Sequence, residues 1–270
     1  MSDALVPRLP SHARSTIEQF LRAHALGDGR DGVVVGLSGG IDSALTARLA
    51  VNALGAEHVL GVLLPDAGFP PELIPETVEY ARALGIESRT IAIDPIERAF
   101  ASALPGPTDL VTIGNTKARI RMVLLYALAR GRRRLVVGTG NKSELLLGYF
   151  TKHGDGGVDL LPIGDLYKTE VRALAAELGL PAAILARPPT AGLWDGQTDE
   201  EELGAPYEVV DRILRGLEEL RSEAEIAEAT GLSPERIRDI ARRVHESRHK
   251  RRPAPVAKVG LRTVGIDWRE

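Results

Sequence analysis

Residues 33–43 read Val-Val-Val-Gly-Leu-Ser-Gly-Gly-Ile-Asp-Ser, and this stretch decides the fold. An apolar run ends in a turn of small residues and passes into a helical pattern over 44–50, which predicts a strand, a turn and a helix. Gly39 and Gly40 let the backbone approach a ligand closely, and the first amides of the following helix can bind an anion. The turn therefore predicts a phosphate-binding site.

The polar side chains of the turn narrow this prediction. Ser38 and Ser43 add hydroxyl donors, whereas Asp42 would repel a phosphate unless a cation lay between them, so we expect phosphate bound to magnesium. The turn is not a Walker loop, because the Gly-Lys-Ser/Thr ending is missing. A tight connection without a ligand is the simpler interpretation, but two serines and an aspartate at this spacing favour binding.

Composition limits the class of protein. The chain has 270 residues, a net charge of −3 and no cysteine. Its length allows a substantial core, and its slight acidity predicts neither nucleic acid nor a membrane surface as a partner. Without cysteine there are no disulfides, thiolate metal sites or cysteine nucleophiles. Neither a signal peptide nor an apolar run long enough to span a membrane is present, so we expect a cytoplasmic protein.

Periodicity predicts strands that alternate with helices. An amphipathic leading helix is expected at 12–26. The expected strands are 33–37, 58–64, 89–93 and 135–138. The other helices are expected at 42–54, 72–84, 95–104 and 115–130, and one more begins at Asn141. Asp94 is the expected N-cap of the helix at 95–104. This alternation predicts an α/β fold, a doubly wound parallel sheet with helices on both faces.

The strands stop near residue 190, and the remaining pattern is helical at 205–220, 222–230 and 234–249. We therefore expect a single domain over 1–270. Its α/β nucleotide-binding core would span 12–190, and an α-rich C-terminal part would span 191–270.

A second polar turn, Thr139-Gly140-Asn141-Lys142-Ser143-Glu144, follows the fourth expected strand. Ligands of a doubly wound sheet gather outside the carboxyl ends of its strands, so both turns can face one nucleotide. Asp42 and Glu144 then become paired oxygen ligands for magnesium. Asn141 and Glu144 also match a capping box, in which the glutamate only closes the first helical turn. The position opposite Asp42 favours the metal.

The run 150–159, Phe-Thr-Lys-His-Gly-Asp-Gly-Gly-Val-Asp, is a polar loop rich in glycine. Such loops are usually solvated surface, but this one directly follows the helix that carries Glu144, so we expect it to lie over the site. Asn115, Arg119 and Met122 share one face of the preceding helix, and Arg121 points elsewhere. Arg119 can therefore pair with a carboxylate or phosphate; a surface arginine is the simpler interpretation.

Together these motifs resemble a known family. The turn at 38–43 is similar to the PP-loop of ATP pyrophosphatases, which cleave ATP between its α- and β-phosphates. Further runs occur in the order seen in NAD synthetases, and with the PP-loop they cover residues 12–253: 115–122, 138–144, 148–159, 189–194, 196–200, 202–204 and 249–251. The resemblance implies a Rossmann-like fold of the adenine nucleotide alpha hydrolase type.

The resemblance also implies a two-step reaction, the final step of NAD biosynthesis. ATP would adenylate the carboxylate of deamido-NAD (nicotinic acid adenine dinucleotide) and release pyrophosphate, and ammonia would then displace AMP to give NAD. The adenylate is needed because a carboxylate oxygen is a poor leaving group. Family members that use glutamine carry an N-terminal nitrilase-like domain with a catalytic cysteine. We therefore expect this cysteine-free chain to use ammonia, and a separate glutaminase partner stays open.

Roles for individual residues follow from the resemblance. Asp42 and Glu144 would bind Mg²⁺, Asp155 would accept a proton from ammonia, and Lys168 would be both catalytic and an ATP contact. The other implied ATP contacts are Gly36, Leu37, Ser38, Gly39, Gly40, Ile41, Asp42, Ser43, Thr139 and Thr190. The implied deamido-NAD contacts are Arg119, Lys152, Asp155, Asp159, Glu202, His249 and Lys250.

Simpler interpretations exist for several of these residues. Lys168 also fits a solvated helix residue, Thr190 a turn hydroxyl, and His249 with Lys250 a frayed basic tail. Trp194 fits either core packing or a lid.

The resemblance further implies a homodimer with the dinucleotide near the subunit interface. Two other functions remain possible at this point: a PP-loop enzyme that amidates or thiolates another nucleotide or RNA, and a non-catalytic binder of adenine nucleotides. The missing cysteines disfavour thiolation, and the acidity disfavours RNA. A non-catalytic binder needs no metal-binding carboxylates.

Overall fold

The computed structural model describes residues 5–27, 29–104, 106, 109–190 and 199–268. Its strands, in chain order, are β1 (Leu26–Gly27), β2 (Arg30–Asp31), β3 (Val33–Gly36), β4 (Val59–Leu63), β5 (Glu87–Thr90) and β6 (Leu135–Val137). β1 and β2 form a short antiparallel hairpin. The central sheet has the order β5-β4-β3-β6, and every pair of neighbours in it is parallel.

The strand order places two turns side by side. Val33 of β3 is paired with Val59 of β4 on one side and with Leu135 of β6 on the other. The chain thus continues from β3 to one side of the sheet and later returns to the other side. The turns that follow β3 and β6 therefore flank the switch point, where open α/β sheets bind their ligands.

Twelve helices are described around the sheet: α1 (Ala13–Ala25), α2 (Ile41–Leu54), α3 (Leu73–Ala83), α4 (Asp94–Ala103), α5 (Leu110–Gly131), α6 (Lys142–Leu147), α7 (Lys168–Glu177), α8 (Ala182–Leu185), α9 (Asp199–Leu203), α10 (Tyr207–Glu218), α11 (Glu223–Thr230) and α12 (Pro234–Glu246). A 3-10 turn at Ser247–Lys250 follows α12. None of these helices is long and apolar enough to cross a bilayer. A cytoplasmic location stays a prediction.

Alternate residues of each strand point to opposite faces of the sheet, and the core follows this period. Val33 and Val35 pack with α1, α2 and α7 in one buried cluster. Val34, between them, belongs to a second cluster with Ile120 and Ala129 of α5. The sheet is thus covered on both faces, and the predicted α/β class is confirmed.

The C-terminal helices have an apolar cluster of their own. Tyr207, Ile213 and Ile237 of α10 and α12 are fully buried in it, together with Leu147 and Tyr167 from the preceding part of the chain. The helical part is therefore packed against α6 and the start of α7. The division of one domain into 12–190 and 191–270 stays a prediction, although the described residues after 190 contain no strand, as expected.

Three expected boundaries are wrong. The third strand of the sheet is β5, Glu87–Thr90, rather than 89–93, because an exposed edge strand of polar residues lacks an apolar signal. The Ile91 amide still donates to the carbonyl of Leu63, the last residue of β4, and the Ile93 amide donates to the carbonyl of Pro65. Asp94 is not an N-cap but the first residue of α4. α5 begins at Leu110, five positions before the expected start, because Asp109 caps it by accepting from the Thr112 amide.

Sequence periodicity also missed elements that matter for the site. α7 was not expected, since its start at Lys168 and Thr169 is polar. The short helices α8 and α9 and the hairpin of β1 and β2 were not expected either. Trp194 and the first part of the run 196–200 lie outside the described residues.

Candidate active site

The turn between β3 and α2 is closed by its own serines. The Ser38 amide donates to Oγ of Ser43 at 3.2 Å, and the Ser43 hydroxyl donates to the Gly40 carbonyl at 3.0 Å. The Gly40 amide in turn donates to Oγ of Ser38 at 3.2 Å. Ser43 is buried, whereas Ser38 is exposed. The turn therefore presents one accessible hydroxyl at the N-terminus of α2, the arrangement that a phosphate group requires.

Gly39 sits in a confined and left-handed position in this turn. Its φ is +77°, and a Cβ there would lie 2.9 Å from Oγ1 of Thr77 and 3.3 Å from a guanidinium nitrogen of Arg187. The same guanidinium donates to the Gly39 carbonyl and to a carboxylate oxygen of Glu76, the latter at 2.6 Å. The turn is thus held from outside by α3 and by the chain after α8.

Asn141 joins the second polar turn to the first. It is fully buried, and its Nδ2 donates to Oδ1 of Asp42 at 2.9 Å. Its Oδ1 accepts from the Glu144 amide at 3.0 Å, and Glu144 Oε2 accepts from the Asn141 amide at 3.2 Å. The expected capping box of α6 is therefore present, and its cap residue also orients Asp42.

Lys168 lies between the two carboxylates. Its Nζ is 2.5 Å from Oδ2 of Asp42 and 3.3 Å from Oε1 of Glu144. The lysine side chain is only 3% exposed, and each carboxylate side chain is 17% exposed. Asp42, Glu144 and Lys168 therefore meet at one point beside the turn. The simpler interpretation, in which Lys168 is a solvated helix residue, is therefore wrong.

The electrostatics of this cluster follow from its burial. Burial lowers the pKa of Lys168, but the attraction of Asp42 and Glu144 outweighs it, so the net pKa lies above its ordinary value. Burial raises the pKa of Glu144, and Asp42 adds to this effect while Lys168 opposes it. Two carboxylates thus share one positive charge, and a further cation would relieve their repulsion.

The donor set suits a hard divalent cation. Asp42 and Glu144 offer carboxylate oxygens on either side of Lys168, and Mg²⁺ is commonly held by one or two carboxylates plus phosphate oxygens and water. Within the described ranges, no three His, Cys, Asp or Glu side chains converge to hold a metal ion by themselves. The residues therefore fit magnesium that arrives with a phosphate.

Two other expected ATP contacts lie at the ends of neighbouring segments. Thr139 is the second residue after β6 and is partly exposed at the switch point. Thr190 is exposed and ends the described range before residue 199. The structure thus places Thr139 at the same sheet edge as the PP-loop.

The loop at 150–159 runs along α5. Oγ1 of Thr151 donates to Oδ1 of Asn115 at 2.7 Å, and Arg119 donates to the Lys152 carbonyl at 3.3 Å. Farther along, Tyr126 donates to Asp159 at 3.0 Å. Contacts at 115, 119 and 126 follow one helical stripe, which is the face predicted for Asn115 and Arg119. The loop is therefore packed on the helix as well as adjacent to α6.

The basic C-terminal residues reach the same loop. Lys152 Nζ donates to the His249 carbonyl at 2.9 Å, and Lys250 Nζ donates to the carbonyls of Gly148 and Phe150 at 2.7 and 2.8 Å. Burial lowers the pKa of Lys250, and Asp155 opposes this effect. His249 and Lys250 are thus part of an ordered 3-10 turn against the loop and not a frayed tail.

Three expected acidic contacts are engaged within the protein. Asp155 accepts from the Thr151 amide at 2.8 Å. Part of the residue is exposed to solvent, but protein atoms packed around the carboxyl group raise the pKa of Asp155. Asp159 accepts from the Val136 amide at 2.8 Å. Glu202 accepts from the Tyr149 hydroxyl at 2.8 Å. The structure therefore groups Arg119, Lys152, Asp155, His249 and Lys250, with Asp159 and Glu202 at separate neighbouring positions.

Two residues beside Lys168, Asp199 and Tyr207, were given no role in the site from the sequence. Asp199 is buried next to the Lys168 cluster and accepts from the Tyr207 hydroxyl at 3.2 Å. The Tyr207 ring centroid lies 5.4 Å from Nζ of Lys168. Burial raises the pKa of Asp199, and Lys168 opposes this effect. Asp199 belongs to the run 196–200 that resembles the family, but a buried aspartate in a polar run gives no periodic signal, so only the packing places it beside Lys168.

Comparisons with known proteins agree with this geometry. The model of the family described as NAD synthase matches residues 13–254. The NH(3)-dependent NAD(+) synthetase of Methanosarcina acetivorans is 50% identical over 250 residues, which are 92% of this chain and 98% of that protein.

Two solved structures are similar over nearly their whole length. NMN synthetase from Francisella tularensis has a TM-score of 0.82 and 35% identity, and the match covers 93% of this chain and 99% of that one. NH3-dependent NAD synthetase from Campylobacter jejuni has a TM-score of 0.77 and 34% identity, with 91% and 98% covered. On the evidence of sequence, fold and site together, this chain belongs to the NAD synthase family.

Proposed function

We propose that this chain is an ammonia-dependent NAD synthetase, which uses ATP to amidate deamido-NAD and releases pyrophosphate and AMP. The observation that carries this proposal is the meeting of Asp42, Glu144 and Lys168 beside the PP-loop, at the switch point of the sheet. Relatives that match nearly the whole chain carry the name of this activity.

The PP-loop and its neighbours would bind the phosphates of ATP. The Ser38 hydroxyl and the first amides of α2 donate hydrogen bonds there, and Lys168 contributes a buried positive charge. Asp42 and Glu144 would hold Mg²⁺, which, when bound, neutralises phosphate charge. The protein thereby positions the α-phosphate and stabilises pyrophosphate as it leaves. Most of the rate acceleration arises from this positioning and charge stabilisation.

The second cluster suits the acceptor of the adenylyl group. Lys152 of the loop at 150–159, with Arg119 and Lys250 against that loop, can neutralise the phosphates of a dinucleotide. Asp155 lies among them, and its raised pKa suits a group that takes a proton from ammonia as the C–N bond forms. The chain has no cysteine, so no thiol can release ammonia from glutamine within it.

A mononucleotide acceptor is the second candidate. The structural similarity to an NMN synthetase favours it, because that similarity is at least as close as the one to an NAD synthetase. The chemistry at Asp42, Glu144 and Lys168 would be the same, and only the length of the acceptor would differ.

A homodimer is part of the proposal. Ile96 and Phe100 lie one turn apart on α4 and are 40% and 46% exposed, and Leu110 and Val111 at the start of α5 are 64% and 60% exposed. This apolar surface, here called the α4–α5 surface, suits a contact with a second copy. It adjoins the helix that carries Arg119.

One assay separates these possibilities. Purified protein is incubated with ATP, Mg²⁺ and either ammonium or glutamine, and with deamido-NAD, the deamido form of NMN, or no acceptor. The proposal expects pyrophosphate, AMP and NAD with ammonium and deamido-NAD, and little product with glutamine. Faster turnover of the mononucleotide would establish the second candidate. ADP and phosphate as products, or none at all, would contradict both.

A further inference from the structure

Lys168 is the first residue of α7, so the position of its side chain depends on how firmly the N-terminus of that helix is held. The first amides of a helix lack partners within it, and a side chain of the N-cap residue usually supplies one. Here the Lys168 amide donates to Oγ of Ser143 at 2.9 Å, and the Thr169 amide donates to Oδ2 of Asp211 at 2.9 Å. Both acceptors come from other helices, α6 and α10.

Asp211 completes this arrangement through Ser143. The Ser143 hydroxyl donates to Oδ1 of Asp211 at 2.5 Å while it accepts from Lys168. A hydroxyl has one proton, so Ser143 donates it to the carboxylate and can only accept from the Lys168 amide. Asp211 therefore holds two amides of α7, one directly and one through Ser143.

The chain places this carboxylate where an apolar residue is expected. Asp211 and Ser143 are fully buried, and Asp211 lies on the same packed face of α10 as Tyr207 and Leu214. Burying a carboxylate is costly unless it is fully hydrogen-bonded. Burial raises the pKa of Asp211, and the bonds from Ser143 and Thr169 oppose this effect. An apolar residue would pack here at lower cost, so the carboxylate requires another explanation.

The network reaches the segments that carry two residues of the candidate active site, Glu144 and Lys168. Ser143 immediately precedes Glu144, and Lys168 immediately precedes Thr169. Asp211 thus joins the starts of α6 and α7, and these starts carry Glu144 and Lys168 respectively. We propose that Asp211 is a positioning residue, which acts through Ser143 to hold Lys168 against Asp42 and Glu144 for the adenylation step. This inference rests on the proposed function, because that function requires Lys168 at the phosphates.

A matched control lies one turn away on α10. Glu208 also joins α10 to α7, by an ion pair with Arg172, but its side chain is 60% exposed and contacts neither Ser143 nor Lys168 among its described bonds. Glu208→Gln therefore weakens the same helix pair and leaves the hydrogen bonds at the start of α7 in place. Asp211→Asn keeps the size and shape of the side chain but leaves the Ser143 proton without a charged acceptor.

The experiment compares turnover in the wild type and three variants at a temperature where each is folded. Pyrophosphate release is measured with saturating ammonium for the wild type, D211N, S143A and E208Q. D211N and S143A are expected to lower kcat about tenfold or more, as for loss of a hydrogen bond to a charged group, with KM for deamido-NAD within twofold. E208Q is expected to retain the wild-type kcat. If wild-type turnover is absent, the proposed function fails; if D211N and S143A equal the folded wild type, this inference fails.

A double-mutant cycle separates positioning from general stability. If Asp211 acts through Lys168, adding D211N to K168Q changes the residual kcat/KM by less than twofold, although D211N alone lowers it about tenfold. Equal losses in both backgrounds would overturn the inference. Should D211N not fold, S143A serves in its place in the cycle, since it removes only one hydroxyl and leaves Asp211 bonded to Thr169.

Discussion

Lys168 and Asp42 are 126 positions apart in the chain, yet Nζ of Lys168 lies 2.5 Å from Oδ2 of Asp42. Asp42 is in the first turn of α2 and Lys168 is the first residue of α7, so the pair joins the N-termini of two helices. Both termini favour negative charge, and the buried lysine supplies the positive charge that faces Asp42 and Glu144. The charge balance of the site therefore depends on a contact across the fold.

Asp42→Asn is expected to stop adenylation and leave the fold intact. The change removes one charge that faces Lys168 and one oxygen ligand for magnesium, so we expect pyrophosphate release to fall on the order of 100-fold, as for loss of a single group that stabilises a transition state. Steady-state kinetics and a thermal unfolding curve measure this. Asp31→Asn, which removes an exposed pair with Arg133, is the matched control. Wild-type turnover in Asp42→Asn would contradict the metal assignment.

Glu144→Gln distinguishes a helix cap from a metal ligand. Glutamine also completes a capping box, so the free energy of unfolding should fall by less than about 1 kcal/mol. A neutral amide binds magnesium poorly, so the magnesium concentration for half-maximal rate should rise about tenfold or more. Titrating the rate with Mg²⁺ tests this. An unchanged magnesium dependence would mean that Glu144 only closes the first turn of α6.

Asp66 should make stability depend on pH in the acid range. Burial raises the pKa of Asp66, but ion pairs with Lys117 at 3.0 Å and Arg121 at 3.1 Å outweigh it, so the folded-state pKa lies below the unfolded one. Its stabilisation is therefore present above the unfolded pKa and is lost as the pH falls through the folded pKa.

The corresponding variant is Asp66→Asn. It leaves two buried or half-buried cations without their carboxylate, so we expect the free energy of unfolding to fall by about 3 kcal/mol at pH 7. The difference from the wild type should shrink below about pH 4. Urea unfolding across this pH range measures it. Asp239→Asn, at an exposed pair with Arg242, should change stability by less than about 1 kcal/mol. A difference that does not vary with pH would refute the assignment.

Gly39→Ala should strain the PP-loop. A Cβ at φ +77° would approach Thr77 to 2.9 Å, and the left-handed backbone is unfavourable for alanine. We expect a loss of about 1–3 kcal/mol in the free energy of unfolding and a higher KM for ATP. Gly131→Ala is the control, because a Cβ at the end of α5 meets nothing within 4 Å. Equal behaviour of the two variants would show that the turn tolerates a side chain.

Phe100→Glu tests the proposed dimer. A charge in the α4–α5 surface should prevent association of two copies, so light scattering should report a monomer where the wild type is a dimer. Leu220→Glu places the same charge at a residue that is 91% exposed elsewhere, and it should leave the dimer intact. A monomeric wild type with full activity, or a dimeric Phe100→Glu variant, would exclude this interface.

Much of the fold was predictable because its signals are local. The valines of β3 and β4 and the small residues after β3 identify a buried strand that leads into a helix. The capping box at Asn141 and Glu144 was also visible as a spacing. β5 was misplaced because an exposed edge strand needs no apolar residues. α7 was missed because its first turn is polar and is capped by residues that are distant in sequence.

The sequence by itself determined the class of fold, the PP-loop and the family, since each depends on residues that are close together in the chain. The two polar turns also predicted that Asp42 and Glu144 face one site, but which other distant side chains meet there was decided by the tertiary structure alone. The strand order brings Glu144 to Asp42, Lys168 fills the space between them, and Asp211 reaches the start of α7 from a helix of the C-terminal part. These contacts have no local pattern, because a buried charge is stable only where packing supplies its partners.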